Sequence, residues 1–310
     1  MSSSAGRSTP LPSSPEAGPT VPPRRLRLDA ELVRRKLARS REHASELIAA
    51  RRVTVSGALA TKPATGVTTD VAIVVTADPD RPDYVSRGGH KLAGALAAFR
   101  AVGLSVEGRR CLDAGASTGG FTDVLLRHGA REVVAVDVGY GQLAWKLQQD
   151  PRVVVHDRTN VRELSLDVIG EPVDVVVGDL SFISLELVLD ALIGVTTPDG
   201  DLALMVKPQF EVGKDRVGKG GVVRDPELRV EAVLGIAGAA ARRGWGAHAV
   251  TTSPLPGPSG NVEFFLWLRR GEATVSEEEI GAAVRAMVGL QTGEEPDPAE
   301  LSDPSEKVEP

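Results

Sequence analysis

The sequence predicts an α/β chain: a Rossmann-like, doubly wound sheet of seven strands, preceded by a small α+β module. Three observations carry that expectation. Short apolar runs alternate with helix-patterned runs through residues 87–290, a glycine-rich turn follows the first of those apolar runs, and the basic residues gather ahead of them.

Taken in order, residues 1–23 are rich in Ser and Pro. They carry too little apolar surface to offset chain entropy, so they read as a disordered extension. Residues 24–80 read as the compact module. Leu28, Leu32 and Leu37 recur at a roughly helical spacing, and Ser40 is a candidate N-cap for a second helix with Ala44, Leu47 and Ile48 on one face. VTVSG (53–57) is then a strand and turn, and VAIVV (71–75) another strand. The run DPDRPD (78–83) marks the junction, with a linker placed at 81–86. The strands expected beyond it are CLDAG (111–115), VVAVDVG (133–139), VVVHD (153–157), VDVVVGDL (173–180), DLALMVK (201–207), GAHAVTT (246–252) and VEFFLWL (262–268), the last two forming a closing hairpin. Helical runs at 121–130, 184–195 and 226–244 lie between them, and an acidic, disordered tail is expected over 291–310.

The net charge of −6 conceals a strong asymmetry. Between Glu294 and Pro310 seven acids face only Lys307, whereas residues 24–62 hold eleven Lys and Arg against four acids. That basic segment points to a polyanion such as RNA, with Arg25, Arg27, Arg34, Arg35, Lys36, Arg39, Arg41, Arg51 and Arg52 as candidate contacts. Cys111 is the only cysteine, which excludes an intrachain disulfide and fits a reducing cytoplasm. The longest weakly apolar stretch, Ala232 to Ala241, is far short of the roughly 20 residues of a membrane span. The N-terminus has no apolar core behind its arginine, unlike a secretory signal. His43, His90, His128, His156 and His248 are scattered, so no metal site is expected, and a monomer is the default.

Two constellations carry chemistry. In Asp113-Ala-Gly115-Ala-Ser117-Thr118-Gly119-Gly120-Phe121, glycines between a strand and a helix let a ligand approach the backbone and the helix N-terminus. The G-x-x-x-G-G spacing is neither the G-x-G-x-x-G of nicotinamide enzymes nor a P-loop. Asp137, ending the second strand, suits the hydroxyls of an adenosine ribose, and Asp157 ends the third. The second constellation is Lys91, Asp179, Lys207 and Glu263, at the ends of expected elements. An antiparallel last strand would bring Glu263 to the carboxyl edge of the sheet beside Asp179 and Lys207, and two lysines with two acids supply their own counter-charges. Such a set suits methyl transfer to a ribose hydroxyl. A lysine beside a second ammonium can take the proton of that poor nucleophile, and a sulfonium methyl needs no metal to be electrophilic. A structural ion-pair network is the competing reading of the same residues.

Lys91, Asp179, Lys207 and Glu263 resemble, in order and context, the Lys-Asp-Lys-Glu tetrad of FtsJ-like 2′-O-ribose methyltransferases. Ser86-Arg-Gly-Gly-His-Lys91, the 113–121 stretch, Asp179-Leu-Ser-Phe-Ile-Ser184, Lys207-Pro-Gln-Phe-Glu211 and Gly218-Lys-Gly-Gly-Val-Val-Arg224 are similar to the TlyA family, and Arg27 to Gly57 resembles its S4-type RNA-binding module. The resemblance implies a class I S-adenosyl-L-methionine-dependent fold, with Asp113, Gly115, Ser117, Thr118, Gly119, Gly120, Phe121, Asp137, Asp157 and Asp179 about the cofactor. It also implies 2′-O-methylation of cytidine in 16S and/or 23S ribosomal RNA, on free RNA or ribosomal subunits. Two other classes are open: an RNA-binding assembly factor with a non-catalytic methyltransferase fold, against which the intact tetrad speaks, and a membrane-active haemolysin, for which the sequence offers no wide apolar helix face.

Overall fold

The computed structural model describes residues 25–76 and 82–292, with side chains to 287; the expected extension 1–23 and nearly all of the acidic tail lie outside the described residues. The chain divides after Pro82 into two compact units.

In the first unit, β1 (Leu26–Arg27) leads into α1 (Leu28–Arg34), followed by α2 (Arg41–Ala49), β2 (Val53–Val55), β3 (Ala58–Leu59), β4 (Gly66–Val67) and β5 (Ile73–Val75). Ser40 does cap α2, its Oγ accepting from the His43 N–H at 3.1 Å. β2 pairs antiparallel with both β3 and β5, while β1 pairs with β4. Leu28, Leu32, Ala44, Leu47, Ile48 and Val53 form the core. The two-residue strands β1, β3 and β4 carry no pattern long enough to read from sequence.

The second unit runs α3 (Arg87–Arg100), β6 (Arg110–Ala114), α4 (Gly120–Arg127), β7 (Glu132–Val136), α5 (Trp145–Gln148), β8 (Val153–His156), α6 (Leu166–Ile169), β9 (Val173–Gly178), α7 (Leu189–Gly194), β10 (Thr196–Val206), α8 (Pro208–Glu211), α9 (Pro226–Ala241), β11 (Trp245–Thr252), β12 (Phe264–Arg270) and α10 (Glu277–Thr292). The seven expected strands form one sheet in the order β11-β12-β10-β9-β6-β7-β8. The five central and outer strands β10 to β8 are parallel, and β12 is antiparallel to both its neighbours. Strand residues bury both faces by alternation: Leu112, Val134, Val176, Leu204 and Leu266 enter one core, Cys111, Val133, Val177, Met205 and Trp267 the other. Connections run to opposite sides of β6, so β6 and β9 flank the point where strand order reverses and where such sheets bind ligands.

Three elements depart from the sequence reading. β10 begins at Thr196, five residues early, because the turn-like TTPDG run joins the sheet through an irregular register between Thr196 and Asp201. α3 was not expected behind its glycines. Those glycines allow close approach: a Cβ on Gly89 would lie 2.4 Å from Tyr84 Cβ, and one on Gly120 would lie 2.7 Å from Gly89 N. α10 also went unread. It opens with a capping box, in which Ser276 Oγ accepts from Glu279 N–H and Glu279 Oε2 accepts from Ser276 N–H, and it continues two residues past the expected domain end at 290.

Candidate active site

The carboxyl edge of β6, β7, β8 and β9 opens into a cavity of about 430 Å³ lined by Gly115, Ser117, Asp137, Gln142, Asn160, Asp179 and Phe182, among others. A smaller hollow of about 120 Å³ shares Gly115, Ser117 and Asp179 with it, and adds Ser86, Thr118, Gly120 and Phe121. Gly115 has φ +85°, and a Cβ there would lie 3.0 Å from the Asp179 carbonyl oxygen, so only glycine leaves this floor open.

Asp137 joins two loops at the cavity wall. Its Oδ2 accepts from Ser117 N–H at 2.7 Å and its Oδ1 from Gly139 N–H at 2.6 Å, each oxygen retaining a lone pair. Seven of the ten expected cofactor residues line one hollow or the other. Asp113, Gly119 and Asp157 line neither. Asp113 is fully buried behind the glycine turn, where its Oδ2 accepts from the Thr122 N–H and hydroxyl at 2.8 and 2.7 Å. It thereby satisfies an open N–H in the first turn of α4, and burial raises its carboxyl to about 7. Gly119, at φ +94°, packs against Leu143 and Leu147. Asp157 Oδ2 accepts from Gly141 N–H at 2.9 Å, and the wall at that end is made by Thr159 and Asn160, after the chain turns at Arg158 with φ +54°.

The four ionisable residues occupy the edge beside the cavity. Asp179 follows β9 and Lys207 follows β10. The β10–β12 register, Val206 opposite Phe264, places Glu263 next across from Lys207. Lys91 is different: it arrives from the second turn of α3, not from the end of a sheet element. Lys91 Nζ donates to Glu263 Oε2 at 2.5 Å, and Lys207 Nζ forms an ion pair with Asp179 Oδ1 at 2.5 Å. Both lysines and Glu263 are buried, while the Asp179 side chain is 23% exposed at the cavity. Glu263 Oε1 is buried without a hydrogen-bond partner. An unpartnered carboxylate oxygen in the interior is costly, and it leaves an acceptor beside Lys91 for a group the chain itself does not supply.

Some residues about the site had no separate signal in the sequence. Ser181 Oγ accepts from Lys207 Nζ at 3.0 Å. Phe182 is 92% exposed at φ +64°, its ring 5.4 Å from that of Phe210. Glu211 fastens this loop, accepting from the Ser184 hydroxyl at 2.6 Å and Leu185 N–H at 3.0 Å, and burial raises its pKa. The motifs at 179–184 and 207–211 contain all of these residues, but only the ionisable ones announce their chemistry. Among the described residues no group of His, Cys, Asp or Glu is arranged to hold a metal ion.

In the basic unit, Arg25, Lys36, Arg39 and Arg51 are exposed, and Arg52 is half-buried with its Nε donating to Thr76 O at 2.8 Å. Arg27 and Arg41 pair with buried Asp29 at 2.9 and 3.0 Å; Arg34 and Arg35 pair with buried Glu31 at 2.6 and 2.7 Å. Arg35 also donates to the carbonyls of Val71 and Thr69, which makes it a brace within the unit.

A seven-stranded sheet with one antiparallel strand next to the edge, a glycine-floored cavity at the switch point and a lysine–carboxylate edge define a class I methyltransferase. The family comparisons agree: residues 84–270 match the FtsJ-like methyltransferase model and residues 26–73 the S4 domain. The chain is 61% identical over 246 residues to a Mycobacterium tuberculosis protein named 16S/23S rRNA (cytidine-2′-O)-methyltransferase TlyA, covering 79% of this chain and 90% of that one. It is 36% identical to Hemolysin A of Brachyspira hyodysenteriae, over 77% of this chain and 98% of that one. A solved hemolysin-named structure from Streptococcus thermophilus superposes with a TM-score of 0.66 at 34% identity, covering 88% of this chain and 99% of the other. The chain belongs to the TlyA branch of the FtsJ-like methyltransferases, with an S4 domain in front. Its cofactor is S-adenosylmethionine.

Proposed function

We propose that the protein methylates the ribose 2′-hydroxyl of cytidine in 16S and 23S ribosomal RNA, as a single chain acting in the cytoplasm, where ribosomal RNA is found. The observation that carries this reading is the pair of buried lysine–carboxylate contacts beyond the ends of β9 and β10, one built on Asp179 of the glycine-floored cavity and the other leaving Glu263 Oε1 unpartnered. The name of the Mycobacterium tuberculosis relative supports the choice of RNA and base.

Bound S-adenosylmethionine would supply a methyl group on a sulfonium, electrophilic without a metal. Gly115 and Ser117 would face it from the β6 turn, and Asp137 would accept from the ribose hydroxyls with its remaining lone pairs. The chain's own part of the chemistry is positioning and proton transfer. The hydroxyl attacking that methyl would give up its proton to a lysine Nζ that is unprotonated at that moment. Lys207 is held for this by Asp179 and Ser181, Lys91 by Glu263. The accepting lysine must be the neutral amine before the step and becomes an ammonium by it, and the carboxylate already paired with that lysine balances the new charge. A nucleotide turned out of its stack needs a flat surface, and exposed Phe182 offers one at the rim.

The test is mass-spectrometric mapping of ribose methylation in ribosomes from cells with and without the protein, together with labelled methyl transfer from purified enzyme. A 2′-O-methylcytidine lost with the gene and restored by the enzyme is expected. Identical maps would refute the reading.

A further inference from the structure

The motif Gly218-Lys-Gly-Gly-Val-Val-Arg224 lines neither hollow of the site. It lies between α8, which directly follows Lys207, and α9, whose N-cap is Asp225. Here the chain makes a hairpin with Gly218 bridged to Val222 and Gly221 N–H donating to Gly218 O at 3.1 Å. A Cβ on Gly218 would lie 2.7 Å from Val222 O, and Gly220 and Gly221 have φ of +78° and +76°, so the glycines are required by the backbone. Nothing lies within 4 Å of the Cβ positions of Gly220 or Gly221, and the tip projects away from the core.

The base of this hairpin is held by two buried polar side chains. Asn261, 2% exposed, accepts from Val223 N–H through Oδ1 at 2.9 Å and donates from Nδ2 to Gly221 O at 2.8 Å. Arg229 Nε donates to Val223 O at 3.0 Å. Asn261 is two residues from Glu263, so the side chain that sets the hairpin is on the same short segment as the acid paired with Lys91. Lys219, at the tip, and Arg224, next to the base, are exposed, with no ion pair to another described residue; Arg224 Nη1 donates to Lys219 O at 3.4 Å along the hairpin. Arg216, by contrast, is neutralised by Glu231 at 2.6 Å.

A fixed base with an exposed lysine at the tip and an exposed arginine beside the base, on the chain between Lys207 and Glu263, is suited to an anion that extends beyond the reacting group. A phosphodiester backbone does so, presenting phosphates on both sides of the target ribose. We propose that the Gly218–Arg224 hairpin is a second RNA contact, on the methyltransferase unit itself. In it Lys219 and Arg224 bind phosphates flanking the target nucleotide, and Asn261 is the positioning residue that ties this docking to Glu263. The inference rests on the RNA methylation reading above.

The experiment titrates in vitro transcribed 16S and 23S ribosomal RNA against full-length wild type, Lys219→Ala, Lys219→Glu and Asn261→Ala over a range of salt. Equilibrium RNA binding, methyl transfer and S-adenosylmethionine binding are all measured. Lys219→Ala should raise the RNA Kd and KM by about 3- to 10-fold and lower the salt slope by about 1, with kcat and cofactor affinity unchanged; Lys219→Glu should do more. Asn261→Ala should raise KM and also lower kcat per cofactor-binding molecule, whereas a purely structural asparagine would lower only the number of cofactor-binding molecules. Wild-type RNA affinity and salt slope in both Lys219 variants would overturn the hairpin assignment, whether or not methyl transfer is seen. Absence of transfer by the wild type, with the Lys219 effect on RNA binding intact, would instead refute the methylation reading and retain the hairpin as an RNA contact.

Discussion

The basic unit and the reacting edge of the sheet use the same residue types in opposite ways. In residues 25–76, Asp29 and Glu31 are buried and each draws two arginines, so four of the nine candidate RNA contacts also balance interior acids. Hydrogen bonds from Arg27 hold Asp29 well below the usual carboxylate range, and those from Arg34 lower Glu31 to about 2. Arg27, Arg34 and Arg41 remain about half exposed and can face a phosphate while bracing the fold; Arg35, 21% exposed, cannot do so freely. At the sheet edge both cations are buried, together with Glu263, and each has one acid. Charge counted along a sequence therefore says where a polyanion is attracted. It does not say which cations are available to it, nor that a formally neutral quartet would be the reactive one.

Removing the lysines breaks this comparison with the largest expected effect. Lys91→Ala and Lys207→Ala should each lower single-turnover methyl transfer by about 100- to 10,000-fold, with the protein folded and cofactor binding retained. The double variant should lose much less than the product of the two. Glu263→Gln keeps volume and removes the charge beside Lys91, so it should follow the same pattern. An ion-pair network with a purely structural role predicts lower melting temperatures with turnover per folded molecule preserved. Rapid-quench transfer and thermal unfolding, measured on the same variants, separate the two.

A smaller effect sharpens the distinction between residues that line the cavity and those that stand behind it. Asp137 lines it and Asp157 does not. Asp137→Ala should weaken S-adenosylmethionine binding by roughly 2–3 kcal/mol, the scale of losing charge-assisted hydrogen bonds, while Asp157→Ala should cost under about 1 kcal/mol. Calorimetry giving equal losses would return Asp157 to the site.

Those two aspartates also mark the limit of what the sequence made legible. All seven sheet strands could be located because runs such as VVAVDVG and VDVVVGDL are apolar on both faces, as a parallel sheet covered on both sides demands. Asp137 and Asp157 look alike there, each ending a strand. What separates them is the path of the next few residues, Ser117 turning back to Asp137 and Arg158 turning the chain away from Asp157, and no spacing encodes that. α3 was hidden by Arg87-Gly-Gly, since glycines that permit helix–helix contact lower the helical signal. Lys91 was therefore picked out by its motif and not by its position in the fold. Phe182 lay in the 179–184 motif with nothing to single it out, and Asn261 had no signal: one matters through exposure and a left-handed backbone, the other through two hydrogen bonds to a loop about 40 residues earlier.

The finest prediction concerns pH, to which the buried acids of the two units respond with opposite sign. Glu31 has its folded pKa depressed to about 2, so its contribution is complete above the ordinary glutamate range and is lost only as pH falls through that range toward 2. Asp113 is the reverse. Burial raises its folded pKa to about 7, so the folded state keeps a proton that the unfolded chain releases above the ordinary aspartate range. Its contribution is complete at acid pH and is lost as pH rises toward 7. Between pH 5 and 7 Glu31 is ionised in both states and adds no slope, whereas in the second unit Asp113 and Glu211, both raised by burial, act against His248, lowered by burial; the share of the slope that Asp113 supplies is the part its substitution removes, with a ceiling of about 1.4 kcal/mol per pH unit. Asp113→Asn resembles the protonated acid and keeps an acceptor for the Thr122 N–H, so it should fold and flatten that slope. Calorimetric unfolding of full-length wild type and Asp113→Asn at pH 5, 6 and 7 tests this directly. Curves that stay parallel across the interval would show that Asp113 is ionised in the folded protein, its charge accommodated by Thr122 and the first turn of α4.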